Sequence, residues 1–242
     1  MSQRFDALWL VLVFLLLWQA LHWLAGSGLS SPVETLARLE TMLASGDFWQ
    51  HALATGRAFF WSVVLTILLG LASGLALGLW RSAGEVMEPI LGALYAIPKI
   101  TLYPVILLCF GLGLPAKIAF GVAHGVFPVM IMTIAGVRAI PPVVLKTARA
   151  MQLDARTTIA TVLLPAALPE IFTGLRIGIV LAMFGALIGE LFAADRGLGF
   201  LLMRGVERGD IAGTMALSVL LFLFAVLWGI GLLAIDRRLR HG

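Results

Sequence analysis

The chain has 242 residues, 61% of them apolar and 12% charged, with a mean hydropathy of +1.03. Soluble domains carry about 25% charged residues, so a water-soluble globule is excluded, and a disordered chain with it. The 17 Lys+Arg against 13 Asp+Glu leave +4, an excess that suits the cytosolic flank of a membrane protein rather than a nucleic-acid surface. With Cys109 the one cysteine, an intrachain disulfide and a Cys-based metal site are also excluded.

A helix needs about 20 apolar residues to cross the hydrocarbon, and six segments reach that length: 7–24, 58–80, 90–112, 118–137, 171–194 and 211–235. Their unbroken apolar runs predict helices, because barrel strands alternate over about 10 residues. The first follows Arg4 but is too long and too rich in Leu and Trp for a cleavable signal, so it is expected to be retained. Residues 31–46 predict a short amphipathic helix at the outer interface. Ser31 and Glu34 fit a capping box, Pro32 takes the first helical position and Gly46 can end the helix. Val33, Leu36, Leu39 and Leu43 supply its apolar face.

The second span carries Gly70, Gly74 and Gly78 in a row, and the fifth carries Gly174 and Gly178, then Gly185 and Gly189. Such rows let helices approach closely, within one chain or between two copies. The third span holds Lys99, about 10 residues in and so roughly 15 Å deep at 1.5 Å per residue. Pro98 and Pro104 interrupt it, and Pro128 interrupts the fourth. Carbonyls freed by proline must face protein or a water-filled route. Glu190 lies near the outer end of the fifth span, after Arg176 at its start. Intramembrane charges are expensive and face a cavity or a partner. Pro98, Lys99, Pro104 and Glu190 are therefore the candidate lining of a translocation path, with pairing of Lys99 to Glu190 or to a carbonyl as the alternative. Two further stretches are not spans: an inner loop, 138–170, with helical patterning between Pro141-Pro142 and Pro165, and a glycine-containing outer loop, 195–210.

Orientation follows from loop cations. Arg4, Arg81, Arg138, Lys146, Arg149, Arg156 and the Arg237-Arg238-Leu239-Arg240 tail lie on one side, against Arg38, Arg57, Lys117, Arg196, Arg204 and Arg208 on the other. The denser side predicts cytosolic termini. Catalytic patterns are missing from the sequence. No Lys follows a glycine as a phosphate loop requires, and His22, His51, His124 and His241 form no H-E-x-x-H pair. His22 and His241 sit near membrane edges, and His124 suits a helix–helix hydrogen bond. The chain is therefore expected to be no enzyme and to hold no metal or cofactor of its own.

From Lys146 to Pro165 the sequence reads KTARAMQLDARTTIATVLLP. This resembles the EAA motif of bacterial ABC-importer permeases, E-A-A, three residues, G, nine residues, I-x-L-P. Ala148 takes the second Ala, Val162 the Ile, and Leu164-Pro165 the closing pair, while Lys146 replaces the Glu and Gln152 the Gly. The segments SSPVETLARL, LGALYAIPKITLYPVILLCFGLG, LLPAALPEIFTGLRIG and GELFAADRGLGFLL are similar to the nitrate/sulfonate/taurine branch of that family, over about residues 29–240.

The resemblance implies an all-α, six-span type I (MetI-like) permease of the bacterial inner membrane. Residues 1–56 would form the first span and the periplasmic amphipathic segment, and 57–242 a five-helix core with the EAA loop at 138–170. It implies as partners a second permease copy, identical or not, two nucleotide-binding ATPase subunits that hold ATP and Mg, and a periplasmic solute-binding protein. It also implies a small anionic solute such as a sulfonate, taurine or nitrate. No nucleic-acid partner is expected.

The residues of the loop agree with that frame. Pro142 can start a short helix on which Leu145, Ala148 and Met151 share a face. Lys146 and Gln152 flank that face, Arg149 and Arg156 are available to acidic partner residues, and Asp154 can cap the next helix. Such a helix can dock on an ATPase or lie on the inner leaflet; the resemblance favours docking. An ion-coupled carrier or passive channel is the competing function, and the chain shows no convincing internal repeat of the kind such carriers have. A membrane-embedded enzyme is disfavoured by the missing ligand cluster.

Overall fold

The computed structural model describes residues 2–192 and 194–241, with side chains at 9–26, 28–192 and 194–234. The side chains of Arg4, Arg237, Arg238 and Arg240, which bear on the predicted orientation, and that of His241 lie outside that set. Every regular element among the described residues is helical. Helix α1, Ser2–Ala25, runs into a 3₁₀ turn at Gly26–Gly28. It is fastened at its far end, where Trp18 Nε1 donates to the Ser30 carbonyl at 3.0 Å.

Helix α2, Pro32–Leu43, starts as its sequence dictates. Glu34 N–H donates to Ser31 Oγ at 3.2 Å, and Ser31 N–H donates back to Glu34 Oε2 at 2.9 Å. That backbone N–H, with the Ser30 and Ser31 hydroxyls, holds the Glu34 carboxyl below the usual range. The far end departs from expectation. Gly46 does not end α2; the helix stops at Ala44, and Ser45 caps the next helix by accepting from Phe48 N–H at 3.3 Å. A serine whose hydroxyl accepts from the first turn is the stronger helix-start signal, so Gly46 becomes the first residue of α3, Gly46–Leu79. At 34 residues α3 is far longer than the predicted 58–80.

The predicted third span, 90–112, is not one helix. Helix α4, Arg81–Ala96, is followed by a 3₁₀ turn at Lys99–Leu102 and by α5, Tyr103–Phe110, and the two halves are bent by 88°. Pro98 explains the break: it pushes Ile97 into an extended conformation (φ −60°, ψ 130°) and offers no N–H to α4. Pro104 does the opposite of interrupting. It sits in the first turn of α5, where the missing N–H has no helical partner to lose.

Helix α6, Leu114–Arg138, matches the fourth prediction and contains Pro128 without breaking. Helices α7, Pro142–Ala150, and α8, Ala155–Thr158, make up the inner loop. A π turn at Ile159–Leu163 joins α8 to α9, Leu164–Phe192, so the fifth apolar helix begins well before residue 171. Pro165 cannot bond the Thr161 carbonyl and its ring crowds it; a wider turn there lets the helix continue. Helices α10, Leu198–Arg208, and α11, Ile211–His241, close the chain. Of these, α3, α6, the run from α8 through α9, and α11 are each long and apolar enough to cross a membrane.

The core is the triple contact of α3, α6 and α9, and the glycine rows make it possible. A Cβ at Gly70 would lie 2.7 Å from Val129 Cβ, at Gly74 2.6 Å from Thr133 Cβ, and at Gly174 2.7 Å from Met132 Cβ. Gly78 meets Val137 and Gly178 meets Val129 in the same way. These contacts lie within the chain, where lipid gives helices no hydrophobic reason to associate and close packing supplies the attraction.

Candidate functional site

Three places hold the residues singled out by the sequence. The first is the elbow between α4 and α5. In an unbroken helix the Tyr95 carbonyl would accept from the backbone N–H of Lys99. The elbow removes that donor, and Lys99 Nζ takes its place at 2.8 Å. The ammonium also stands over the Tyr95 ring, 4.6 Å from its centroid, and 5.7 Å from that of Phe127. Its ties are thus to a helix C-terminus and two aromatic faces, both favourable to a cation. Pro98 and Pro104 are exposed and Lys99 is half-buried. The three lie together on a side of the molecule that this chain leaves open.

Glu190 is elsewhere. It is 1% exposed, its Oε2 accepts from Thr55 Oγ1 at 2.7 Å and from Gly199 N–H at 3.1 Å, and its Oε1 faces Lys117 Nζ at 3.7 Å. Lys99 and Glu190 therefore do not pair, and Glu190 faces protein. Lys117, assigned by loop counting to the outer surface, is 4% exposed and donates to the Arg196 carbonyl. His51 (7% exposed) accepts from Gly197 N–H at 3.0 Å. Sequence reasoning missed this cluster. The available signal was a lysine just before the fourth span and a glutamate late in the fifth, at one depth.

The inner loop is the third place. Helix α7 ends in a Schellman turn: Leu153 N–H bonds the Ala148 carbonyl at 3.2 Å and Gln152 N–H the Arg149 carbonyl at 2.9 Å, with Gln152 at φ +54°. Gln152 stands where the EAA pattern has Gly, and the left-handed turn forms all the same. The expected common face of Leu145, Ala148 and Met151 does not form. Ala148 is 3% exposed and turned toward its own chain, whereas Met151 is 66% exposed. The helical period stops at Ala150, so Met151 no longer follows it. Leu145 lines a cavity of about 740 Å³ between α7 and the bundle, together with Arg149, Leu153 and Leu163. Lys146, Arg149, Gln152 and Arg156 remain exposed, as do Leu164 and Pro165. Asp154 takes the N-cap position of α8, and the Thr157 side chain holds its carboxyl below the usual range, with the amides of that turn adding to the effect.

Arg138 fixes the start of this loop. It donates to Glu88 Oε2 at 2.6 Å and to the Arg81 carbonyl at 3.3 Å, tying the end of α6 to the start of α4. Among the described residues no three His, Cys, Asp or Glu side chains are grouped to hold a metal ion. The arrangement has no paired nucleophile and base. It can hold a charged solute at an elbow and present a short helix to a partner.

Residues 66–241 match the family model described as binding-protein-dependent transport system inner membrane component. The taurine transport system permease protein TauC of Escherichia coli is 30% identical over 221 residues, covering 88% of this chain and 80% of TauC. The riboflavin transport system permease protein RibX of Chloroflexus aurantiacus is 35% identical over 202 residues, covering 82% of this chain and 75% of RibX. Among solved structures, a chain of the inward-facing MetNI methionine ABC transporter superposes with a TM-score of 0.64 at 23% identity. That match covers 77% of this chain and 93% of the other, and it speaks for the fold.

Proposed function

Because this chain belongs to the family of binding-protein-dependent transport system inner membrane components, we propose that it is the permease subunit of an ABC importer for a small anionic solute. The permeases of this family are not themselves enzymes; ATP hydrolysis takes place in a separate subunit. The reading extends to six spans, counting α1 and the α4–α5 pair, with both termini cytosolic. Two copies would meet along the open side that carries the elbow, served by two ATPase subunits and a periplasmic binding protein. Helix α7 and the turn after it would dock on the ATPase through Val143, Lys146 and Met151, with Arg149 and Arg156 facing its acidic residues.

One observation carries the choice of an anion: a half-buried ammonium at a proline elbow, bound to one carbonyl and two ring faces. An ammonium has three donors, and the Tyr95 carbonyl occupies one. Desolvated cations favour anions that meet them on a path. Lys99→Met tests the reading in proteoliposomes with the cognate ATPase and binding protein. Assembly and basal ATPase activity should persist while anion uptake falls at least tenfold. Normal uptake by a well-assembled Met variant removes Lys99 from the path. A fully active Met variant that carries a neutral solute refutes the anion.

A further inference from the structure

Helix α10 has no cap of its own. Its N-cap residue is Gly197, at φ +130°, and a Cβ there would strike the Glu190 carboxylate. Three successive N–H groups at this helix start point into the bundle, and each meets a side chain from another helix. Gly197 N–H donates to His51 Nδ1 at 3.0 Å, Leu198 N–H to Thr55 Oγ1 at 2.8 Å, and Gly199 N–H to Glu190 Oε2 at 3.1 Å. One residue earlier, the Arg196 carbonyl accepts from Lys117 Nζ. Thr55 gives its own proton to Glu190 Oε2 at 2.7 Å. The unpaired N–H groups of a helix start favour negative charge, and here the Gly199 N–H meets a carboxylate directly while the Leu198 N–H meets it through Thr55. The protein's own carboxylate supplies that charge.

Burying two charges costs more than their attraction returns unless the remaining hydrogen bonds are in place. An apolar pair would hold the helices together at less cost, but it would tolerate sliding. The ionic arrangement does not. A shift of the 196–199 turn takes the Gly199 N–H from a buried carboxylate and the Arg196 carbonyl from a buried ammonium, and leaves three N–H groups without acceptors, while Glu190 Oε1 already has no hydrogen-bond donor. The contact is therefore either made or broken.

We propose that Glu190, neutralised by Lys117, is an internal cap that locks α10 to α3, α6 and α9, so that α10 moves as one body with the bundle during transport. Glu190 is thus a positioning residue for the transport cycle, and this role rests on the permease reading above. The lock itself is a property of the chain that is measurable without transport.

The test uses the assembled transporter, permease with its ATPase subunits and binding protein, in proteoliposomes. Hydrogen–deuterium exchange of residues 196–201 is read beside uptake and beside the stimulation of ATPase activity by the binding protein. Glu190→Gln should speed exchange in that segment at least tenfold, leave the middle of α3, α6 and α9 protected, and lower uptake and stimulation together. Thr55→Val, close in shape, should give the same pattern centred on Leu198 at smaller amplitude, and it serves should Glu190→Gln fail to assemble. Glu190→Asp should recover part of the protection. Unchanged exchange in both Glu190→Gln and Thr55→Val overturns the lock. Fast exchange with wild-type uptake shows that α10 need not move with the bundle, which also overturns it. A wild-type protein that shows the protection but imports nothing refutes the permease reading and not the lock.

Discussion

The two turns that flank the run from α8 through α9 are held in opposite ways. The turn before it, 151–154, is closed by its own neighbours: two Schellman bonds, a left-handed Gln152 and Asp154 at the next helix start. The turn after it, 194–199, makes its bonds to residues up to 146 positions away, from α3, α6 and the end of α9 itself. The first leaves Met151, Gln152 and Asp154 exposed; the second buries Gly197 and Gly199 against polar side chains of the bundle. A turn bonded locally keeps its shape while its surroundings change, which suits the docking role proposed for this segment. A turn bonded at long range forms only when the bundle around it has the right geometry, and so reports that geometry to the helix it starts.

The sharpest way to break this comparison is at the buried pair. Lys117→Met leaves Glu190 without its counter-charge and should lower unfolding stability by about 3–5 kcal/mol, whereas Lys117→Met combined with Glu190→Gln should recover most of that loss. Denaturation of the purified protein in detergent checks both, and additive losses would show that the two side chains do not act as a pair.

A smaller effect is expected at the inner loop. Ala148→Glu puts a carboxylate at a position 3% exposed and should cost about 2–3 kcal/mol. The same acid at Met151, on the exposed side, should change stability by no more than about 0.5 kcal/mol yet reduce the ATPase recovered on co-purification. A thermal scan and a pull-down separate the two faces, and a stable, ATPase-free Ala148→Glu protein would place the contact face on Ala148 after all.

Gln152→Gly sharpens the local half. A non-glycine residue in the left-handed region costs about 1 kcal/mol or slightly more, so this change should stabilise the loop by about that amount and slow amide exchange at Leu153. Slower unfolding without loss of uptake is the expected result; a destabilised loop would mean that the Gln152 side chain contributes to the turn.

The smallest effect belongs to the exposed pair Arg38–Asp210, at 2.7 Å, which links α2 to the start of α11. Arg38 beside Asp210 holds its carboxyl below the ordinary value of 3.8. A depressed carboxylate adds stability above its unfolded pKa and loses it as pH falls through the folded one. The pair should thus contribute at neutral pH and nothing in strong acid. Arg38→Ala should cost about 0–1 kcal/mol at neutral pH, and that cost should shrink as the pH is lowered through the acid range, a trend that unfolding curves across it would reveal.

Much of the molecule was legible without coordinates because its causes are local. The apolar runs announced α3, α6, α9 and α11, since lipid forces each span to satisfy its own backbone. Ser31, Pro32 and Glu34 placed the start of α2, and Pro142 that of α7, because caps act within one turn. The register of the EAA pattern located the inner loop even with Lys146 and Gln152 out of type. Other features depended on tertiary structure. Pro98 marked a break, but its 88° angle and the capture of the Tyr95 carbonyl by Lys99 depend on what α4 and α5 pack against. The face of α7 that turns inward is set by the bundle behind it, so Ala148 is buried and Met151 is not. Glu190 looked like a path residue because a charge in a span is costly wherever it sits. Only the arrival of Lys117, Thr55, His51 and the α10 turn from distant parts of the chain decided that its partner was the protein itself.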